Sequence, residues 1–450
     1  MSRLSRAQKI GYGIGDLGGN LFFTLGGFYF LDFLTSVVGL PAALAGITLT
    51  VAHFWDAITD PVVGFLSDRT ASPWGKRRPW MFVGGFMVIA TMVMFFAAPQ
   101  NTGGNQLSVL VYVIAAACLL NLASTLINIP YNAMTPELTD DYNERTNLNG
   151  YRMVFAVCGT LAAGPAVLLL IQAFGGGRGG WIGMAAVVGT IIAVATWVVV
   201  ASVRESRDAK RETTLPISAY WQVLGQKPFL LALIPWSLHI AGVSMVQAAF
   251  VLYFRHVRGD AVMFQQALLI LLVSAMAWIP VWVKISERIG KKASYNIGMG
   301  VFATAVLLFF FVGHIAPIWV TYVVMALGGA GMATNYVMPY SIVPDVVEYD
   351  YDKNGVRREG AYYGIWTFMT KIGRSIALGI SGLILGAYGF IETTGGAIVA
   401  QPDTALFAIR LLTGPIPVVF FALGIVVLHF YPLTREAYGE IVKRIQARQA

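Results

Sequence analysis

Twelve apolar runs punctuate the sequence, at about 9–36, 41–67, 79–99, 107–132, 148–173, 180–203, 228–254, 261–285, 292–313, 316–343, 360–388 and 404–431. Each exceeds the roughly 20 residues that an α-helix needs to cross the hydrocarbon core of a bilayer. Inside lipid only helices and closed barrels satisfy their own backbone, and long apolar runs without strict alternation select helices. The expected fold is an all-α membrane protein with twelve transmembrane helices. Composition agrees: 12% of residues are charged, against about 25% in soluble domains. That balance excludes a soluble enzyme. The short basic start, Met1–Lys9, leads into the first run with no cleavage-type site, so that run is read as retained.

An even number of spans puts both ends of the chain on one side. Of the 31 Lys and Arg, 25 fall on alternate connections or the two ends, while the opposite connections hold only Arg178, Arg255 and Arg258. By the positive-inside rule the basic side is cytoplasmic. The expectation is a multi-pass protein of the inner membrane with both termini in the cytoplasm. The same placement accounts for the net charge of +8 without any nucleic acid.

The most polar connection, RESRDAKRETT from Arg204, divides the chain into two six-helix halves. The expected domains are an N-terminal bundle (1–203), a cytoplasmic middle loop (204–226), a C-terminal bundle (227–431) and a cytoplasmic tail (432–450). A faint repeat supports the division. GFLSDRTASPWGKRR (64–78) and KISERIGKK (284–292) occupy matching places, each with an acid–Arg pair, a glycine and a basic pair. Parallel six-span repeats are the plan of major facilitator transporters, with substrate and ion held near the midplane. Asp68, Arg69 and Arg77 are expected to gate the cytoplasmic side. A second gate is expected in PDVVEYDYDKNGVRRE (344–359), read as a charged loop in which Asp345 and Glu348 meet Arg357, Arg358 or basic residues of other loops.

The second run contains HFWDAITDP, His53 to Pro61. Asp56 and Asp60 are four residues apart and so stack on one helix face. A carboxylate at bilayer depth costs roughly 2.5–3.5 kcal/mol on insertion scales, and two on one face repel. The pair must share something positive: a cation, a proton or a basic side chain. His53, one turn earlier, titrates near neutral pH when unperturbed. The fourth run ends in NLASTLINIPYN, where Asn121, Thr125, Asn128 and Asn132 form a polar stripe and Pro130 interrupts the backbone donors. In the first run, YGIGDLGGN places Asp16 near the cytoplasmic end, wetted or paired with a basic loop residue, and Asn20 deeper. Lys371 lies far into the eleventh run, where its ammonium needs a carboxylate or a polyhydroxy ligand. Cys118 and Cys158 both fall in apolar runs and read as small core residues. No Walker A loop, HExxH or paired CxxC occurs, so neither an enzyme nor a cofactor is expected.

These stretches resemble the glycoside–pentoside–hexuronide:cation symporter family, the melibiose-permease branch of the major facilitator superfamily. The resemblance rests on WDAITDP (55–61), on SDR followed by WGKRRPW (67–80), on NIP (128–130), and on the stretch 344–360 that opens with PD and closes with RREG before Lys371. It implies a monomeric symporter that couples a sugar-like substrate to Na⁺, Li⁺ or H⁺ across the lipid bilayer. It implies cation binding at Asp56 and Asp60, with Thr59, Thr125 and Asn128 as neutral ligands. It implies substrate binding at Asn20, Asn128, Asn132, Arg152, Tyr336, Thr367 and Lys371. The melibiose permease has acids at the positions of Asn20 and Asn128, Trp at that of Asn132 and Lys at that of Gly19. Its galactoside specificity therefore does not carry over, and Arg152 with Lys371 leans the expectation towards an anionic sugar such as a hexuronide. A lysolipid transporter of the same fold and a non-transporting membrane sensor are the alternatives.

Overall fold

The computed structural model describes residues 4–138, 142–203, 205, 217–356 and 358–449. They are helical, with no strand among them. The first repeat contributes α1 (Arg6–Asp32), α2 (Ala42–Arg69), α3 (Arg78–Phe96), α4 (Gln106–Leu138), α5 (Tyr142–Ala163), α6 (Pro165–Ala173) and α7 (Gly177–Ser202). A short helix, α8 (Ile217–Leu224), follows. The second repeat contributes α9 (Lys227–Leu252), α10 (Ala261–Ile289), α11 (Lys291–Val312), α12 (Ile318–Asn354), α13 (Glu359–Ala387), α14 (Asp403–Leu412) and α15 (Pro415–His429), and α16 (Arg435–Gln449) ends the chain. Among the described residues eleven helices are long and apolar enough to cross a membrane, or twelve when the bent pair α5–α6 counts as one span.

Local chemistry sets the boundaries. Ser5 and Gln8 close a capping box at the start of α1, satisfying backbone donors that the first turn leaves open. Proline stands in the first turn of α3, α6, α9 and α15, where its missing N–H costs nothing. Pro165 after Gly164 breaks the fifth span, and the turn before Pro415 breaks the last, so two expected continuous runs are each two helices. The expected loop after Pro344 is instead helix: α12 continues to Asn354 and stops at Gly355, whose φ is +68°. Val343, Val346 and Val347 are buried on its inner face. The Arg358 guanidinium pairs with Asp350 at 2.9 Å, so burial and pairing sustain a helix that the charge density argues against.

Two compact units are present, one comprising Met1–Arg211 with Leu378–Ala405, the other Glu212–Ala377 with Leu406–Ala450. In the first, an aromatic cluster anchors the end of α1: Phe33, Phe95 and Phe96 gather against Trp181, which stacks on Phe96 at 5.4 Å. In the second, Trp236 stacks on Trp366 at 5.6 Å within a core that includes Phe229 and Tyr362. The repeat seen faintly in sequence is plain in the backbone. The helices α1 and α9 each widen into a five-residue π-helical turn, Phe33–Val37 and Tyr253–Val257. Each turn is followed by a left-handed glycine, Gly39 (φ +76°) and Gly259 (φ +69°).

The tail helix α16 packs on α12, where Arg444 and Arg448 reach Asp352. Both arginines are more than half exposed, so solvent screens these pairs. Arg444→Ala is expected to change stability by less than about 1 kcal/mol, read as an unchanged thermal midpoint in detergent.

Candidate ion and substrate site

The contact between α2 and α4 brings the paired acids onto one hydroxyl. Thr125 Oγ1 lies 2.7 Å from Asp56 Oδ1 and 3.1 Å from Asp60 Oδ1. Asp56 and Thr125 are buried, and Asp60 is half-buried. A hydroxyl carries one proton, so it donates to one of the two carboxylates at a time. Thr59, also buried, donates back to the Asp56 carbonyl at 3.2 Å. The His53 ring is tied to its own helix through Nδ1 and the Leu49 carbonyl, 2.8 Å apart.

The stripe on α4 divides in two. Asn121 donates to Ala117 one turn back. Asn128 donates to the Ser124 carbonyl and hydroxyl, which leaves its own Oδ1 facing α1. A Cβ at Gly19 would come within 2.8 Å of that oxygen, so Gly19 is what lets the asparagine approach. Asn132 donates to the Asn128 carbonyl, and Asn20 to the Asp16 carbonyl. The helix runs through Pro130 without interruption.

Arg152 joins this stripe to α1. Its Nε donates to Asp16 at 2.6 Å, one terminal nitrogen donates to Asp16 and to the Asn132 side-chain Oδ1, and the other donates to Thr135 at 2.9 Å. Tyr131 donates to the same Asp16 carboxylate at 2.6 Å, and its ring lies 4.8 Å from the guanidinium. Tyr12 closes the network through Tyr131 and Thr135. Asp16 is thus neither wetted nor paired with a loop. Its partner stands on α5, because the α1–α5 contact sets the two side chains facing each other. The Arg152 charge is matched, which removes its weight as an argument for an anionic ligand. Sequence reading missed Asp16's partner, Tyr12, Tyr131 and Thr135. The four-residue step from Tyr131 to Thr135 was the available signal.

The basic connections hold two matched clusters. Arg77, beside the start of α3, donates to Asp68 at 2.8 Å and also to the Ala133 carbonyl. Lys291, at the start of α11, donates to Asp345 at 2.7 Å and to the Ser341 carbonyl at 2.8 Å. Each cation thus ties the third span of its repeat to the fourth. Glu205, unremarked in the sequence, accepts from the backbone N–H groups of Lys76, Arg77 and Arg78 at 2.6–2.9 Å and caps α3. Arg69 lies over the Phe65 ring at 3.6 Å. Glu348 is half-buried, and Arg357 lies outside the described residues.

In the second unit Tyr336 and Thr367 are exposed and Lys371, one turn beyond Thr367 on α13, is half-buried. Thr370 accepts from the Trp236 indole at 2.8 Å. Cys118 is half-buried, but Cys158 is exposed rather than core. Its neighbour Gly159 faces the Leu17 backbone, which turns Cys158 away from the α1–α5 contact.

Long apolar helices in two repeats, with carboxylates and a matched ion pair held inside, define a multi-pass membrane transporter rather than an enzyme. The chain belongs to the MFS/sugar transport protein family, which it matches over residues 11–435. It is 30% identical to an uncharacterized symporter of Synechocystis, over 99% of this chain and 98% of that one. It is 28% identical to a glucuronide carrier protein homolog of Escherichia coli, over 99% and 97%. It is 27% identical to the sodium-dependent lysophosphatidylcholine symporter 1-B of Danio rerio, over 97% and 88%. Among solved structures, a study of proton-dependent oligopeptide transporters superposes with a TM-score of 0.68 at 11% identity, covering 98% of this chain and 100% of that one. The nucleoside transporter NupG gives 0.65 at 12% identity, covering 95% and 100%. These likenesses establish the major facilitator fold.

Proposed function

We propose that the protein is a cation-coupled symporter of the inner membrane, with both termini cytoplasmic, that carries a sugar or glycoside by alternating access. Na⁺ is the coupling ion, with Li⁺ and H⁺ as alternatives. The observation that carries this reading is the Thr125 hydroxyl shared by Asp56 and Asp60. A monovalent cation among these three oxygens would offset the mutual repulsion of two carboxylates on one face of a membrane helix. The sodium dependence in the name of the Danio rerio relative supports Na⁺.

The polar groups beside this pair suit a polyhydroxy ligand. Asn20, Asn128 and Asn132 offer amide groups, and the Asp16–Arg152 pair offers both acceptors and donors. A carboxylate ligand would have to compete with Asp16 for Arg152, so a neutral sugar or glycoside is favoured over a hexuronide. The glucuronide carrier homolog among the relatives keeps hexuronides in the test panel. Tyr336, Thr367 and Lys371 are assigned to the same substrate, and the Asp68–Arg77 and Asp345–Lys291 clusters to the cytoplasmic gate. The lysophosphatidylcholine symporter supports a second reading, a lysolipid substrate on the same fold.

The test is ligand binding to purified protein, with sugars, glycosides, uronates and lysolipids, each with Na⁺, Li⁺ or K⁺ at two pH values. A sugar whose affinity rises with Na⁺ alone supports the proposal. A rise at low pH without Na⁺ dependence moves the coupling to protons. Binding of lysolipid and of no sugar overturns the substrate assignment. Thr125→Ala removes one neutral oxygen beside two charged ones. It is expected to raise the Na⁺ concentration for half-maximal stimulation by about 10- to 100-fold, as a hydrogen bond to a charged group is worth roughly 1.5–3 kcal/mol.

A further inference from the structure

The two repeats share a backbone corner and fill it with different chemistry. In the first, Phe33 opens the π-helical turn and packs on the end of α3, 4.7 Å from the Phe96 ring. Trp181, in the first turns of α7, stacks on the same ring at 5.4 Å. Backbone bonds close the rest of this corner. Thr393, Gly395 and Gly396 donate their N–H groups to the Thr35, Val37 and Ser36 carbonyls of the turn. The Glu392 carboxylate accepts from the Ala42 N–H that opens α2, at 2.7 Å.

In the second repeat Tyr253 opens the turn, and Arg258 stands before Gly259 where Val38 stands before Gly39. Tyr253 is fully buried against Phe309, with ring centroids 4.4 Å apart. Its hydroxyl is closed to solvent and has no partner among the described residues. A Cβ at Gly313 would lie 2.8 Å from that oxygen, so the hydroxyl points to the end of α11. Where the first repeat stacks an indole, Arg410 of α14 lays its guanidinium over the Phe310 ring at 4.9 Å. One terminal nitrogen of Arg410 donates to the Phe310 carbonyl at 3.2 Å, while its Nε is closed to solvent and has no partner among the described residues. Arg258 donates to the Ala316 carbonyl at 3.0 Å. Both guanidiniums act on the Tyr253 hydroxyl. Burial and the Arg410 and Arg258 charges together hold the His314 imidazole below its ordinary pKa, so the field in this corner is positive.

The ordinary role for arginines at a helix end is to cap it. A helix C-terminus offers about half an elementary negative charge, and the first repeat meets the matching end with one exposed arginine, Arg178 at the Ala97 carbonyl. Here two half-buried guanidiniums bring two charges, and neither pairs with a carboxylate among the described residues. Asp260, next in sequence, is spent on capping α10 through the Val262 and Met263 N–H groups. Buried donors are normally satisfied, and surplus positive charge beside unused O–H and N–H donors calls for an anion.

We infer that Tyr253, Arg258 and Arg410 form a binding site for a small inorganic anion, of the size and charge of chloride, at the end of α11. That helix starts at the basic connection bearing Lys291, so the site lies at the opposite face. A lipid headgroup or a substrate cannot reach donors that are closed to solvent, whereas the long Arg410 side chain can swing to admit a single ion. All of these groups belong to one compact unit. The inference rests on neither the substrate nor the coupling cation.

The experiment is thermal unfolding of the purified full-length protein in detergent, with chloride exchanged for gluconate at constant ionic strength. Chloride at several times its Kd is expected to raise the parental midpoint by about 2–4 °C. Tyr253→Phe installs the ring that the first repeat carries. It is expected to weaken the apparent chloride affinity about tenfold and to raise the midpoint in gluconate, because it deletes an unused buried donor. Arg410→Gln is expected to abolish the chloride shift, and Tyr253→Phe, which keeps the ring, carries the test if Arg410→Gln does not fold. An equal chloride shift in the parent and in both variants overturns the inference, since a general salt effect acts on all three alike. Absence of any shift in the parent overturns it as well. A midpoint raised by phosphatidylglycerol over phosphatidylcholine in the micelles, and not by chloride, puts a lipid headgroup in place of the ion and overturns the assignment.

Discussion

Asp56→Asn is expected to abolish Na⁺-stimulated substrate binding and uphill uptake, with Asp60→Asn doing the same. The two carboxylates share the Thr125 hydroxyl, so removing either charge removes both the reason for the cation and half of its anionic ligand set. Ion and substrate act on each other only through differential affinity, and the coupling is reciprocal. In the parent protein Na⁺ is expected to raise substrate affinity about 5- to 150-fold. In Asp56→Asn that factor falls to about one. Substrate titration with and without Na⁺ measures it directly. Substrate binding need not vanish, because Asn20, Asn128 and Arg152 remain, so loss of stimulation with residual binding is the informative pattern. Uphill uptake that survives both substitutions would remove the paired acids from the mechanism.

Asp16→Ala is expected to destabilise the protein by about 3–5 kcal/mol. The Asp16 and Arg152 side chains are only 14% and 13% exposed, and the substitution leaves a guanidinium without its counter-charge. Most of the cost is the uncompensated charge rather than the lost bond. The double substitution Asp16→Ala with Arg152→Ala should therefore be less damaging than Asp16→Ala alone, a non-additivity that a double-mutant cycle exposes. Arg152→Lys should rescue poorly, because an ammonium cannot reach Asp16, Asn132 and Thr135 together in the fork geometry that Arg152 adopts. Thermal midpoints in detergent measure all three. Equal midpoints for Asp16→Ala and the parent would show that the pair is not a structural element.

Much of the architecture was legible in the residues. Apolar length announces each span. The Asp56–Asp60 pair was legible because both lie on one helix, where spacing fixes geometry. Thr125 was legible as one member of a stripe. The Asp16–Arg152 pair was not, since 136 residues separate its members and no local pattern says which helices pack. The course of α12 past Pro344 was hidden for a different reason. Proline and a run of acids read locally as a stop, while burial of Val346 and pairing of Asp350 decide otherwise. Glu392 gave no signal at all, because what it satisfies is a backbone N–H, which every residue but proline carries.

The Ala42–Glu392 bond also sets a clock on biosynthesis. The ribosome must add 350 residues after Ala42 before the partner exists, which takes roughly 20–70 s at about 5–20 residues per second. Throughout that interval the first repeat sits in the membrane with the start of α2 uncapped and the carbonyls of the π-helical turn bare. A nascent chain that stalls just before Glu392 would carry eleven complete spans and still display this frayed seam. Quality-control proteases would have a mark there by which to tell an unfinished chain from a finished one.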